Sequence, residues 1–453
     1  MEIDSIFAAQ KNFFFSHITK DVAFRIALLK QLKELLIKYE AEMYAAIMAD
    51  FGKSPFDTFL TELALIHKDI DFYITHLKDL AIPKLVSTNL PNLPGLSRIY
   101  HEPLGVVLII GAWNYPYQLC FAPLIAAIAA GNVCIVKPSE LPAHTMRLMA
   151  QMLNSHFDPE QIYVVEGGVP ETTALLQLPF DKIFFTGSTR VGKIVYEAAA
   201  KNLTPVVLEL GGKSPVFVSS KAAIDVAARR IVWGKFLNAG QTCVAPDYVL
   251  VAAEVKEALL QRMQHYLLKF NYHADAPHYT RIINKSNFDR LLGLIPAEKV
   301  FVGGSYNADN LYIAPTILND IDWTDKVMEE EIFGPILPVL SYTDYGKAIQ
   351  HLVGMPKPLA AYLFSNDKSE QDLFLQSLSF GGGCINDVLV HLSNEHLPFG
   401  GVGHSGIGSY HGIYGFETFS HRKPVISRAV WGEPPLRYPP YTKNKLRWIK
   451  RFL

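Results

Sequence analysis

Residues 104–136, LGVVLIIGAWNYPYQLCFAPLIAAIAAGNVCIV, contain no charged side chain. Length alone would let such a run cross a bilayer. Asn114, Pro116 and Pro123 interrupt it, however, and Gly131-Asn132 reads as a helix stop. The stretch is therefore read as a strand over 106–112, a helix over about 118–130 and a strand over 133–136. Apolar runs without alternation belong to strands buried on both faces. A chain containing them must supply helices to cover both sides of a sheet.

The same pattern continues downstream. A helix near 143–155 precedes IYVVEG (162–167), and a short helix near 171–177 precedes KIFFTGS (182–188). A helix over 191–201 then leads to PVVLEL (205–210). Strands alternating with helices predict parallel βαβ units. Residues 1–75 read as amphipathic helices. Residues 83–100, PKLVSTNLPNLPGLSRIY, have no helical period and form an excursion. After Gly211 a second αβ series begins, with helices near 222–237, 254–269 and 286–294. At 453 residues, 49% apolar and 19% charged, the chain has material for two or three domains. The fold class expected is α/β, with two doubly wound parallel sheets and a small additional element.

A net charge of −1 gives no basic excess, so nucleic acid is not an expected partner. None of the four cysteines stands in a C-x-x-C pair, so neither a metal site nor a disulfide framework is expected. That usage suits a reducing cytoplasm. The N-terminus MEIDSIFAAQ lacks a cationic segment before an apolar one, so no secretory leader is expected.

Doubly wound sheets bind ligands at the carboxyl ends of their strands. There the sequence places Asn114, Lys137 and Glu140 (KPSE), Gly187 and Ser188 (TGSTRVG), and Glu209 (ELGG). Gly187 and Ser188 open a helix whose free N–H groups attract an anion, or form a plain strand-to-helix turn with an N-cap. Lys137 and Glu140 are a solvated loop pair or ligands of ribose hydroxyls. Cys243 follows Gly240, which lets backbone approach a ligand closely. It is either a small packing residue or a thiolate nucleophile. As a nucleophile it needs a base, which Glu209 can be, and an oxyanion donor, which the Asn114 amide can be. Cys120, Cys134 and Cys384 read as packing residues.

The segments FTGSTRVGK, LELGGKSP, NAGQTCVAPDY, EEIFGP and PFGGVGHSGIGSYHG…GFETFSH occur in this order along nearly the whole chain. Together they resemble the aldehyde dehydrogenase superfamily. The run TCVAPDY, the short N-terminus and RYPP (437–440) are similar to its class 3 branch, which acts on medium- and long-chain aliphatic and on aromatic aldehydes.

The resemblance implies a Rossmann-like NAD(P) domain over 1–82 and 101–208 and a catalytic domain over 209–401. It also implies an oligomerisation excursion and tail over 83–100 and 402–453, and a cytoplasmic homodimer. It makes Cys243 the nucleophile, Glu209 the general base and Asn114 the oxyanion donor. Lys137 and Glu140 fall at the adenosine ribose, Gly187 and Ser188 at the pyrophosphate, and Glu331 and Phe333 at the nicotinamide ribose and ring. The cofactor implied is NAD or NADP.

Three rival readings carry different residues. A coenzyme-A-acylating relative would lack the base. A non-catalytic nucleotide-binding structural protein would not need Cys243, Glu209 and Asn114 together. A cysteine hydrolase would take His391, His396 or His404 as its base. The tail, residues 441–453, alternates cations with Trp448, Ile449, Phe452 and Leu453. Its amphipathic helix either docks on the protein or a partner subunit near the aldehyde entrance, or lies in a membrane interface.

Overall fold

The computed structural model describes residues 2–274, 276–432 and 435–452. The uncharged stretch folds as strand Val106–Ile110, helix Gln118–Ala130 and strand Val133–Lys137, and every residue of the three is buried. The helix is apolar all round because no face of it meets water. It ends at Gly131, whose φ of 94° is left-handed and suits glycine. No helix among the described residues is long and apolar enough to cross a membrane.

The first sheet has six strands in the order Gly406–Ile407, Val206–Glu209, Lys182–Thr186, Val106–Ile110, Val133–Lys137 and Ile162–Val164. All neighbours are parallel except the first pair. Four strands stop earlier than the apolar runs predict, at Ile110, Val164, Thr186 and Glu209. Ser188 instead caps the helix Thr189–Ala200, its hydroxyl accepting from the Val191 N–H. The second sheet has seven strands in the order Val300–Val302, Thr316–Leu318, Ile336–Tyr342, Tyr248–Ala252, Pro215–Val218, Ala360–Phe364 and Gly382–Ile385. Only its first pair is antiparallel. Helices Ile224–Phe236, Lys256–Phe270 and Lys285–Leu292 belong to this half of the chain.

The excursion is not irregular. Lys84–Val86 pairs antiparallel with Gly95–Pro103, which pairs along its whole length with Ser420–Arg428. This three-stranded sheet leaves Leu85, Leu96, Val425 and Ile426 exposed. Residues 402–419 lie instead on the first sheet. Gly406 and Ile407 extend its edge beside Glu209 and Leu208. Helix Gly412–Thr418 and its flanks bury Tyr410, Phe416 and Phe419 in the core beneath Phe184. The tail forms helix Lys443–Phe452, with Leu446 and Trp448 about half exposed, 52% and 51%. Leu453 lies outside the described residues.

Candidate active site

Four successive strands of the first sheet deliver Glu209, Gly187, Asn114 and Lys137 to one carboxyl edge. Backbone bonds tie these ends together: the Gly187 N–H donates to the Glu209 carbonyl (3.0 Å) and the Gly111 N–H to the Lys137 carbonyl (3.1 Å). Glu209 is 3% exposed, and neither of its carboxylate oxygens has a hydrogen-bond partner. Burial holds its acidity well below that of an ordinary carboxyl, raising its pKa. An unpaired buried carboxyl is costly, so it marks a position kept for something other than stability.

Cys243 reaches the same place from the second sheet. Helix Ile224–Phe236 runs into a tight turn in which Asn238, Ala239 and Gly240 all have left-handed φ (53°, 50° and 71°). A Cβ on Gly240 would come within 2.2 Å of the Gly334 carbonyl, so the turn before Cys243 is seated against the EEIFGP segment. Burial pushes the Cys243 thiol up to about 12. The charges of Glu331 and Glu209 add to this, and the backbone N–H groups of Cys243 and Val244 oppose it.

Asn114 joins the two halves. Its amide donates to the Gln241 carbonyl (3.0 Å), and the Asn238 amide donates back to the Asn114 carbonyl (3.0 Å). One residue on, the Tyr115 hydroxyl shares a 2.6 Å bond with the Thr242 hydroxyl. The Tyr362 hydroxyl donates to the Val244 carbonyl (2.7 Å) from beyond Cys243.

Glu331 lies directly over Gly211, where a Cβ would come within 2.0 Å of its carboxylate. Burial raises it to about 8, and Asp247 adds to the rise. Phe333, at φ 49°, packs edge-on against Trp113 at 5.4 Å. Lys137 is buried; its ammonium donates to the Pro138 carbonyl (2.7 Å) and stands 4.0 Å from Glu140, which remains half exposed. Cys243, Glu209, Asn114, Glu331 and Phe333 thus come together at the junction of the two sheets. Lys137, Glu140, Gly187 and Ser188 line the first sheet's edge beside them.

The histidines read as an alternative base stand elsewhere. His391 stacks on Phe399 and turns its Nδ1 toward Cys384 Sγ, at 3.6 Å. Burial lowers it to about 4, so it is neutral. His396 and His404 are exposed.

Sequence reasoning missed the ties that hold this arrangement. The Lys213 ammonium bonds Asp247 (2.5 Å) and the carbonyls of Val327 and Glu330, while Asp247 accepts from the Ile332 N–H (2.9 Å). Lys213 and Asp247 both stand within the recognised segments LELGGKSP and NAGQTCVAPDY, which was a usable signal. Lys53 and Glu62, a buried pair next to Tyr115, had none.

The aldehyde dehydrogenase family model matches residues 1–425. The chain belongs to the aldehyde dehydrogenase family. It is 46% identical over 454 residues to the 4,4'-diaponeurosporen-aldehyde dehydrogenase of Staphylococcus aureus, covering 99% of both chains. It is 46% identical over 440 residues to aldehyde dehydrogenase family 3 member A2 of Mus musculus, covering 96% of this chain and 91% of that one. Among solved structures, the substrate-bound Staphylococcus aureus AldH superposes with a TM-score of 0.98 at 46% identity, covering 100% of this chain and 99% of that one.

This aldehyde dehydrogenase oxidises aldehydes with NAD(P), and its α/β fold is the two-sheet arrangement of the family. The residues present fit the cofactor: a helix N-terminus at Ser188, a lysine–carboxylate pair at the neighbouring strand end, and a carboxylate held over Gly211 beside the thiol.

Proposed function

We propose that Cys243, Glu209 and Asn114 carry the oxidation of medium- or long-chain aliphatic or aromatic aldehydes to carboxylic acids. The observation that carries this reading is the Glu209 carboxyl, buried with both oxygens unpaired and close enough to Cys243 to raise its thiol. Lys137 and Glu140 would hold the adenosine ribose, Gly187 and Ser188 the pyrophosphate, and Glu331 and Phe333 the nicotinamide ribose and ring. Bound NAD(P) supplies the hydride acceptor.

The chain's own residues do the rest. The Cys243 thiolate adds to the aldehyde carbon and the carbonyl electrons move to oxygen. The Asn114 amide and the Cys243 N–H face that oxyanion. After hydride has left the carbon, a thioester remains on Cys243. Glu209 takes a proton from water, which attacks the thioester and frees the acid and the thiol. A base of this kind contributes about 10²–10⁴ in rate. An available carboxylate also separates this reading from acyl transfer to coenzyme A, which needs no water and no base.

The division of labour proposed has residues 1–82 and 101–208 holding nucleotide, 209–401 carrying the thiol, and 83–100 with 420–453 serving assembly, while 402–419 complete the first sheet and its core. A closed two-fold dimer is the commonest way to cover an exposed sheet such as 84–103 with 420–428. The exposed face of helix Lys443–Phe452 then belongs against the partner near the aldehyde entrance. Four free cysteines support a cytoplasmic setting. Light scattering at micromolar concentration tests the dimer, which a monomer mass would rule out.

Glu209→Gln tests the mechanism. Acylation should outlast deacylation, giving a rapid first turnover of reduced cofactor followed by slow steady state. Normal turnover with no such phase would assign the base elsewhere.

A further inference from the structure

We propose that Lys53 and Glu62 are positioning residues of the oxidation, acting through Tyr115 to set Cys243 against the Asn114 amide; this rests on the roles given above to Cys243 and Asn114.

The two charges are 1% and 0% exposed and 2.6 Å apart. Each also grips the loop that carries Asn114. The Glu62 carboxylate accepts from the backbone N–H groups of Tyr117 (2.9 Å) and Gln118 (3.2 Å), so it closes the first turn of helix Gln118–Ala130, where a negative charge is favoured. The Lys53 ammonium sits 4.1 Å above the Tyr115 ring. A cation on that face draws density from the phenol and favours its O–H as the donor in the 2.6 Å bond to Thr242. Thr242 precedes Cys243, and Tyr115 follows Asn114. The chain Glu62–Lys53–Tyr115–Thr242 therefore ends one residue from the nucleophile, and its middle lies one residue from the oxyanion donor.

Stability is a poor explanation for such a pair. Burying two ions costs about as much as their attraction returns, and apolar replacements of similar size are often as stable. Helix Glu40–Phe51 and the turn at Pro55–Thr58 could close over leucine and methionine as well as over a salt bridge. What apolar groups cannot do is bond two loop amides and orient a phenol. A shift of about 1 Å in a reacting group can cost on the order of 10² in rate.

The test compares the charge-free double variant Lys53→Met/Glu62→Leu with Tyr115→Phe, which keeps the ring over Lys53 and removes only the hydroxyl. For the double variant, kcat should fall about tenfold to a hundredfold, with the Kd for NAD near wild type and the melting temperature lowered only by the two loop amides that lose their acceptor. Tyr115→Phe should lose part of the same factor at unchanged NAD affinity. Wild-type kcat in Tyr115→Phe, or in a folded double variant, overturns the proposal. So does a loss of kcat matched by an equal loss of NAD affinity, which would mark a purely structural pair. Cys243→Ala, assayed beside them, distinguishes the underlying reading: turnover in that variant would fault the assigned nucleophile, whatever the Lys53 variants do.

Discussion

The Lys213 ammonium stands 2.5 Å from the Asp247 carboxylate, and between them they bond Val327, Glu330 and Ile332. Three stretches far apart in sequence, around Gly211, around Cys243 and around Glu331, are thereby fixed to one another. Both side chains are nearly buried, so removing one partner strands the other. Lys213→Met should cost about 3–5 kcal/mol in denaturant unfolding. At a temperature where it is folded, its KM for cofactor should rise more than its kcat falls, because Glu331 loses its anchor. A rise in neither KM nor instability would show the pair to be idle.

The Cys243 thiol is held up to about 12, with Glu331 the largest charge acting on it after burial. Glu331 itself lies near 8, so at pH 8 it is substantially ionised. Glu331→Gln removes that charge and should raise the thiolate fraction. Alkylation by iodoacetamide without cofactor at pH 8 should run several-fold faster than in wild type. An equal or slower rate would mean that the two groups do not interact.

Cys243→Ala should abolish dehydrogenation and leave nucleotide binding near wild type, since none of the proposed cofactor contacts involves the sulfur. Titration calorimetry with NAD beside a turnover assay separates the two effects. Loss of both would place Cys243 in the binding machinery instead.

His391 and His411 are both lowered to about 4 by burial. The unfolded chain protonates them near 6.5. Between those values the unfolded state binds more protons, so stability is lost as pH falls from about 6.5 toward 4. His411→Gln should flatten the dependence of melting temperature on pH in that window. An unchanged slope would mean His411 is not responsible for it.

Ending the chain at Pro440 removes helix Lys443–Phe452. With its apolar face assigned to the partner's aldehyde entrance, activity toward long aldehydes should drop while that toward short ones persists. Co-sedimentation with anionic vesicles at low salt should be equal for the full and shortened chains. Salt-reversible binding by the full chain alone would move the helix to a lipid surface.

The sheets were legible because strands such as Val106–Ile110 and Val133–Lys137 are apolar on both faces, a pattern few other structures produce. The residues proposed for the site stand in short motif segments, at strand ends for Lys137 and Glu209 and in the loops before strands for Cys243 and Glu331, and it was those segments that the sequence displayed. Lys53 and Glu62 were not: they sit among N-terminal helices where charges usually face water, and only a contact to Tyr117 and Gln118, more than fifty positions away, reveals that these do not. Residues 402–419 were hidden for another reason. Their buried Tyr410, Phe416 and Phe419 flank or occupy a helix of seven residues, too short to show a period.

The pairing of Gly95–Pro103 with Ser420–Arg428 has a consequence for synthesis. Glu102 and its partner Lys423 are 321 positions apart. At about 5–20 residues per second, a ribosome delivers the second strand roughly 15–60 s after the first. The edge strand beside Glu209 and the aromatic residues beneath Phe184 arrive nearly as late. The first sheet therefore emerges first and is completed last. Between the emergence of Glu209 and that of Gly406 it carries an open edge and an uncovered apolar floor, the interval in which a nascent chain most needs a chaperone.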